Sequence, residues 1–182
     1  MSLVLVTGTS GSGKSAVCQA LKREGHSAVD GDWEGYNHWV DRASGQVVAD
    51  PPYPVPPGWL DRFAWMADVE RVEALAAASR ESITFWCGQV ENEAAAWHCF
   101  DHVVCLVVSD DVLGERLATR TTNAFGKNPE ELAAAMAWNP SSEARYRRLG
   151  ATIIDATEPI EEVTTAVLRA ALQLKHPSRR EV

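Results

Sequence analysis

Gly8 and Gly13 stand five positions apart, and Lys14 and Ser15 follow at once. That spacing has a chemical meaning. The glycines let the backbone curl so that successive N–H groups turn inward on an anion. A helix opening at Gly13 would add its positive end to the same place. Lys14 supplies a mobile charge for the β- and γ-oxygens of a nucleoside triphosphate, and the Ser15 hydroxyl is a ligand for Mg²⁺. Thr9, Ser10, Gly11, Ser12 and Ala16 complete the phosphate-contacting stretch. The pattern is a complete Walker A loop, and ATP with Mg²⁺ is the expected cofactor pair.

Such a loop must be held between a strand and a helix. Leu3–Thr7 reads as a buried strand, and Ala16–Glu24 as a helix with Val17, Ala20 and Leu21 on one face. Further strand-like runs fall at Ser27–Asp30, Ile83–Cys87, Val103–Val108 and Ala151–Asp155. Helical patterns separate them, which implies a parallel sheet covered on both faces. Trp65, Val69, Val72 and Ala76 step by four, three and four, predicting a long helix from about Trp59 to Arg80. The last helix is opened by Pro159 with Glu161 and Glu162 in its first turn; Ile160, Val163, Val167 and Leu174 form its buried side. "DPPYPVPPG" (50–58) has five prolines in seven positions and reads as a rigid extended connector.

A second group of chemical residues closes the second strand, in "AVDGDW". Asp30 and Asp32 would leave the carboxyl edge of the sheet beside the phosphate loop, where open α/β sheets bind ligands. Two carboxylates there can hold the Mg²⁺ shell and accept a proton from an attacking hydroxyl. A plain Asp-Gly turn is the competing interpretation.

The 182 residues suit one domain, 1–182, and 46% apolar residues suffice for a core. No stretch has the length of a membrane span, and the first residues lack a basic n-region and an unbroken apolar run, so no signal peptide and a cytoplasmic protein without membrane contact are expected. Cys18, Cys87, Cys99 and Cys105 lack C-x-x-C pairing and read as buried thiols; His98 beside Cys99 lacks a second ligand pair at zinc spacing. A net charge of −8 without a basic stripe argues against nucleic acid as a partner. The closing "KHPSRR" reads as a solvated tail.

Two segments interrupt the alternation, at about 32–80 and after the fourth strand. With the phosphate loop, this layout resembles the superfamily of nucleoside and nucleotide kinases, which includes adenylate, cytidylate, shikimate and gluconate kinases. The resemblance implies a three-layer P-loop α/β fold whose five-stranded parallel sheet has the order 2-3-1-4-5. It further implies an acceptor-binding helical insertion (32–80) and a short lid (121–138).

Individual residues take roles from the same resemblance. The Asp-x-Asp of Asp30 and Asp32 is similar to that of shikimate kinase. After the third strand, "TFWCGQVENE" lacks the acceptor-phosphate arginine of adenylate kinases and a Walker B aspartate. Gln89 and Asn92 remain as neutral acceptor-binding groups or as helix caps, and Mg²⁺ then depends on Ser15, Asp30 and Asp32. Arg62 would clamp an anionic acceptor group or form a surface ion pair. Trp33, Trp39, Trp59 and Trp65 crowd this segment, and one or two could wall a pocket for a flat or apolar acceptor. Arg116 and Arg120, four apart on one helix face, would stabilise the transferring phosphoryl group, and Arg120 would also touch ATP. A flexible stretch, Lys127 and a helix begun by Asn128-Pro129 follow. Arg145 could turn inward on lid closure, while Arg147 and Arg148 stay in water. Ala156 and Thr157 fall where related kinases seat adenine.

The expected protein is therefore an ATP-dependent kinase acting on a hydroxyl of a small-molecule acceptor, as a monomer or homodimer. Nucleoside monophosphate kinase and nucleotide-dependent switch are the alternatives.

Overall fold

Leu3, Val4, Leu5 and Val6 are each at most 1% exposed, as only a central strand with both faces covered allows. Their alternation divides the interior. Val4 and Val6 pack with Val17, Leu21, Phe85, Leu106 and Val167, whereas Leu3 and Leu5 face Val72, Trp86, Val90 and Tyr146.

The structure, a computed structural model, describes residues 2–79 and 82–173. In chain order its elements are β1 (Ser2–Thr7), α1 (Lys14–Arg23), β2 (Ser27–Asp30), β3 (Asn37–Asp41), α2 (Trp59–Arg62), β4 (Phe63–Ala67) and α3 (Val69–Ala78). They continue with β5 (Ile83–Cys87), α4 (Glu93–Ala96), β6 (His102–Val107), α5 (Asp110–Thr119), α6 (Pro129–Arg148), β7 (Thr152–Asp155) and α7 (Ile160–Gln173). The five parallel strands lie in the order β2-β5-β1-β6-β7, which is 2-3-1-4-5 when the core strands alone are counted. Each matches an expected run to within a residue. Val163 and Val167 of α7 are buried as expected; Leu174 and the "KHPSRR" tail lie outside the described residues. All four cysteines are free and buried. No helix among the described residues is long and apolar enough to cross a membrane.

The long helix expected from Trp59 to Arg80 is a correction. It is the one-turn α2, then β4, then α3, with residue 80 outside the described part. β4 pairs antiparallel with β3 in the register Asn37↔Ala67, Trp39↔Trp65, Asp41↔Phe63. Trp39 and Trp65 face each other with ring centroids 5.1 Å apart, and cross-strand aromatic pairing overrides the helical spacing of Trp65. The helix starts only at Val69, where the Asp68 side chain accepts from the Arg71 N–H at 3.1 Å. The insertion is thus a β-hairpin braced by two helices.

The start of α6 follows its punctuation. Asn128 caps α6 by accepting from the Glu131 N–H at 2.8 Å, and Pro129 opens the helix. The far end of α6 is tied under the phosphate loop. Thr9 Oγ1 donates to Ser142 Oγ at 3.3 Å, and Tyr146 donates its hydroxyl to the buried Glu93 carboxylate. Thr7 Oγ1 lies 3.0 Å from the same hydroxyl and donates to it, since the Tyr146 proton is committed to Glu93. Burial pushes the Glu93 carboxyl up from 4.5, opposed by the Tyr146 hydroxyl and the Arg145 charge.

That shift fixes a pH dependence. A carboxyl whose folded pKa exceeds its unfolded one costs nothing below about pH 4.5, where both states hold the proton. Stability falls as pH rises from there through the folded pKa. Urea unfolding of Glu93→Gln and wild type at a series of pH values should show the difference moving in the variant's favour across this window. A pH-independent difference would mean that Glu93 is not held protonated by its burial.

Candidate active site

The site forms at the carboxyl ends of β1, β2 and β5. After β1 the chain turns through Gly8 (φ 139°) and Gly13 (φ 107°), conformations that L side chains rarely adopt. A Cβ on Gly8 would stand 2.3 Å from the Leu106 carbonyl oxygen, so no other residue lets the loop pass β6 this closely. The turn leads directly into α1, with Gly13 as its N-terminal cap. Lys14 is only 8% exposed, and its Nζ donates to the Gly8 and Thr9 carbonyls at 2.7 and 3.3 Å. Burial pushes the Lys14 pKa down, while the neighbouring Asp32 and Asp30 carboxylates pull it up.

Those carboxylates sit across the cleft. Asp30 is buried, which raises its pKa, and the neighbouring Ser15 hydroxyl lowers it in part. Its Oδ1 also accepts from the Asp32 N–H at 3.1 Å. Asp32 is held by side chains from both strands of the hairpin: Oδ1 accepts from Asn37 Nδ2 at 2.8 Å and from the Trp65 indole N–H at 2.9 Å. Sequence reasoning did not single out Asn37, and it treated Trp65 only as helix core or pocket wall. Both need the hairpin to reach Asp32, and a strand pattern this short inside an aromatic run gave no signal for it.

Ser10–Ala16, Asp32, Trp33, Arg116, Arg120, Asn123 and Ala156 line one cleft of about 440 Å³. Arg116 spans it, donating to Ser12 O at 3.3 Å and Ala156 O at 2.8 Å, so it ties the phosphate loop to the end of β7. Arg120 donates to Ser10 Oγ at 3.2 Å and to the Phe125 carbonyl; its Nε is buried without a partner, and burial lowers its pKa. Lys127 turns the other way and caps the carbonyls of Leu117 and Ala118 at the end of α5 (2.9 and 2.6 Å). Thr157 folds back on Asp155, its N–H and hydroxyl donating at 2.9 and 2.7 Å.

The remaining acceptor-side candidates spread out. Arg62 ends α2 rather than starting a helix, and its Nε donates to Asp41 at 2.9 Å on an open face away from the cleft. There it lines a separate depression with Asp41, Gln46 and Phe63. Asn92 brackets the backbone of Ala67, accepting from its N–H at 2.8 Å and donating to its carbonyl at 2.9 Å, and thereby docks the loop after β5 onto β4. It does not cap α4 with its side chain. Gln89 is half-buried in the same loop. Arg145 donates to Glu93 at 3.3 Å beneath the P-loop. Far from the cleft, Glu73, His98 and Cys99 place one ligand atom each within 4.8 Å of one another.

The proline-rich connector does more than set spacing. Tyr53 OH accepts from the Ala124 N–H at 2.6 Å, and the Gly58 N–H donates to Glu130 at 2.8 Å. The insertion therefore touches the segment between α5 and α6 directly.

Comparison with known proteins follows from this geometry. No curated protein matches the chain. Among solved structures, a gluconokinase from Sinorhizobium meliloti 1021 is 22% identical, covers 94% of this chain and 91% of its own, and superposes with a TM-score of 0.52. A shikimate kinase from Acinetobacter baumannii in complex with shikimate is 16% identical over 97% and 96%, with a TM-score of 0.61. A deoxyadenosine kinase from M. mycoides with bound dATP is 13% identical over 94% and 100%, with a TM-score of 0.51. Identities this low establish a shared fold alone, that of the small P-loop kinases. A family model described as an AAA domain matches residues 4–137, from β1 into α6, and the chain belongs to that AAA domain family of P-loop proteins.

Proposed function

We propose that this protein transfers the γ-phosphoryl group of ATP to a hydroxyl of a small acceptor. The observation that carries this is Asp32: a carboxylate lining the phosphate-loop cleft, with one oxygen fixed by two donors and the other left to take a proton. The acceptor oxygen attacks the γ-phosphorus, its proton passes to Asp32 Oδ2, and the bond from the γ-phosphorus to the bridging oxygen breaks to release ADP. Lys14 and Arg120 face the charge that spreads over the transferring group. Arg116 holds the loop in register with Ala156, where the base would sit against backbone.

The donor set fits Mg²⁺. The Ser15 hydroxyl and the Asp30 carboxylate are neighbouring hard oxygen ligands, and a cation would relieve the burial cost of Asp30. When bound, Mg²⁺ would neutralise phosphate charge. Asp30 is thus assigned to the metal and Asp32 to the proton.

Three variants test these roles in a coupled assay for ADP. Lys14→Ala should abolish ATP turnover while circular dichroism stays native; undiminished turnover in the folded variant rules out the site. Asp32→Asn should lower turnover on the acceptor about a hundredfold or more, with much less effect on ATP binding. Near-normal turnover, together with activity on AMP, CMP or UMP, would hand the site to a nucleoside monophosphate kinase. Trp65→Phe keeps the ring stack and deletes one donor to Asp32, so kcat should fall by roughly tenfold with the KM for ATP unchanged. A change confined to the KM for ATP would show that the indole N–H does not serve the base.

A further inference from the structure

The proposed acceptor site is poor in available positive charge. Between Asp32 and Ser79 the chain has three arginines, no lysine and eight carboxylates. Each arginine is engaged. Arg42 makes a two-pronged pair with Glu91, at 2.8 and 2.7 Å. Arg62 is bonded to Asp41, and Arg71 donates to the Gly35 carbonyl while covering the Tyr36 ring at 4.5 Å. From α6, Arg145 is held by the buried Glu93. An anionic acceptor would have to displace a carboxylate from Arg42, Arg62 or Arg145, pull Arg71 off the Gly35 carbonyl, or share Lys14, Arg116 and Arg120 with the phosphates of ATP, and each is costly.

Neutral and aromatic groups are present instead. Trp33 directly follows Asp32, lines the same cleft and is 57% exposed, an unusual position for so large an apolar ring with no structural burden. Asn37 is buried beside Asp32; its Nδ2 is used on that carboxylate, while its Oδ1 has no partner.

Resting on the phosphotransferase assignment above, we infer that the acceptor is an uncharged hydroxyl compound with a flat unsaturated face. The face stacks on Trp33, and the reacting hydroxyl meets Asp32, which Asn37 and Trp65 hold in place. Carboxylated hydroxy acids and phosphate esters are disfavoured because the insertion's arginines are engaged and the cleft's Lys14, Arg116 and Arg120 are committed to the phosphate loop and its ligand.

The test uses the full chain with ATP and Mg²⁺, measuring ADP release with adenosine, uridine and thymidine as flat uncharged probes. Shikimate and gluconate are the carboxylated probes, and AMP and UMP the phosphorylated ones. At least one nucleoside should raise ADP release tenfold or so above the rate without acceptor, and the charged probes should not. Trp33→Ala, a change at an exposed side chain, should raise the KM for that nucleoside by about tenfold, in line with the loss of one base–aromatic stack. Turnover of a carboxylated or phosphorylated probe overturns the acceptor class and leaves the phosphotransferase standing. Failure of every nucleoside also overturns it. If in addition Lys14→Ala binds ATP as tightly as wild type, the kinase assignment falls separately. An unchanged nucleoside KM in Trp33→Ala removes the stacking role.

Discussion

The site is organised around a positive charge taken out of water. The Lys14 ammonium group lies in the curl of the phosphate loop with two backbone carbonyls as hydrogen-bond partners. Carbonyl dipoles solvate a cation only partly, so burial pulls its pKa down. What keeps the charge in place is the field of Asp32 and Asp30 across the cleft, and neither is bonded to it. A direct ion pair would cancel the charge that phosphates must meet. The two carbonyls instead leave Lys14 poised, and the carboxylates free for other work.

That arrangement demands rigidity on both sides of the cleft, and the chain supplies it by different means. On the β1 side, Gly8 passes so close to the Leu106 carbonyl that the loop cannot shift without opening the β1–β6 pairing. Arg116 then fastens Ser12 to Ala156, and Thr7 and Thr9 are bonded from below to Tyr146 and Ser142 of α6. One helix thus meets the proline-rich connector at its start and braces the phosphate loop at its end. On the other side, the loop after β5 is stitched to β4 by the Asn92 side chain and by the Glu91 N–H, which donates to the Trp65 carbonyl at 2.9 Å. Trp65 is fixed along its backbone before its indole reaches Asp32.

Much of this could be read from the sequence, and the line between legible and illegible has a physical cause. The phosphate loop, the five core strands and the Asn128-Pro129 helix start are local codes: glycine conformations, apolar runs and a cap act within a few residues. Asp30 and Asp32 were legible because the edge of a parallel sheet is a predictable place for ligands. The hairpin was not, since β3 and β4 are joined by more than twenty residues and are strands only because each has the other. Trp65 and Val69 share a helical spacing by accident of the β4–α3 junction. Asn37, Tyr53 and Glu93 were invisible for a related reason: each acts through a partner far along the chain. The guanidinium groups expected at the acceptor were legible as residues but not as ion pairs.

A hairpin in place of a helix also changes what the insertion can do. Side chains alternate between the two faces along a strand, so Asn37 and Trp65, two positions apart along the ladder and hence on one face, can converge on a single carboxylate oxygen. Neighbours on one helix face would point along parallel lines and reach Asp32 one at a time. The same hairpin continues through the connector to Tyr53 and Gly58, which are bonded to Ala124 and Glu130 at the approach to α6. The residues that hold Asp32 and the segment between α5 and α6 are therefore parts of one connected surface. A displacement of that segment away from the connector would break the Tyr53 and Gly58 bonds, and these lie in the same insertion that fixes Asp32. The two sides of the cleft are, in this fold, tied together through a run of hydrogen bonds rather than through the sheet.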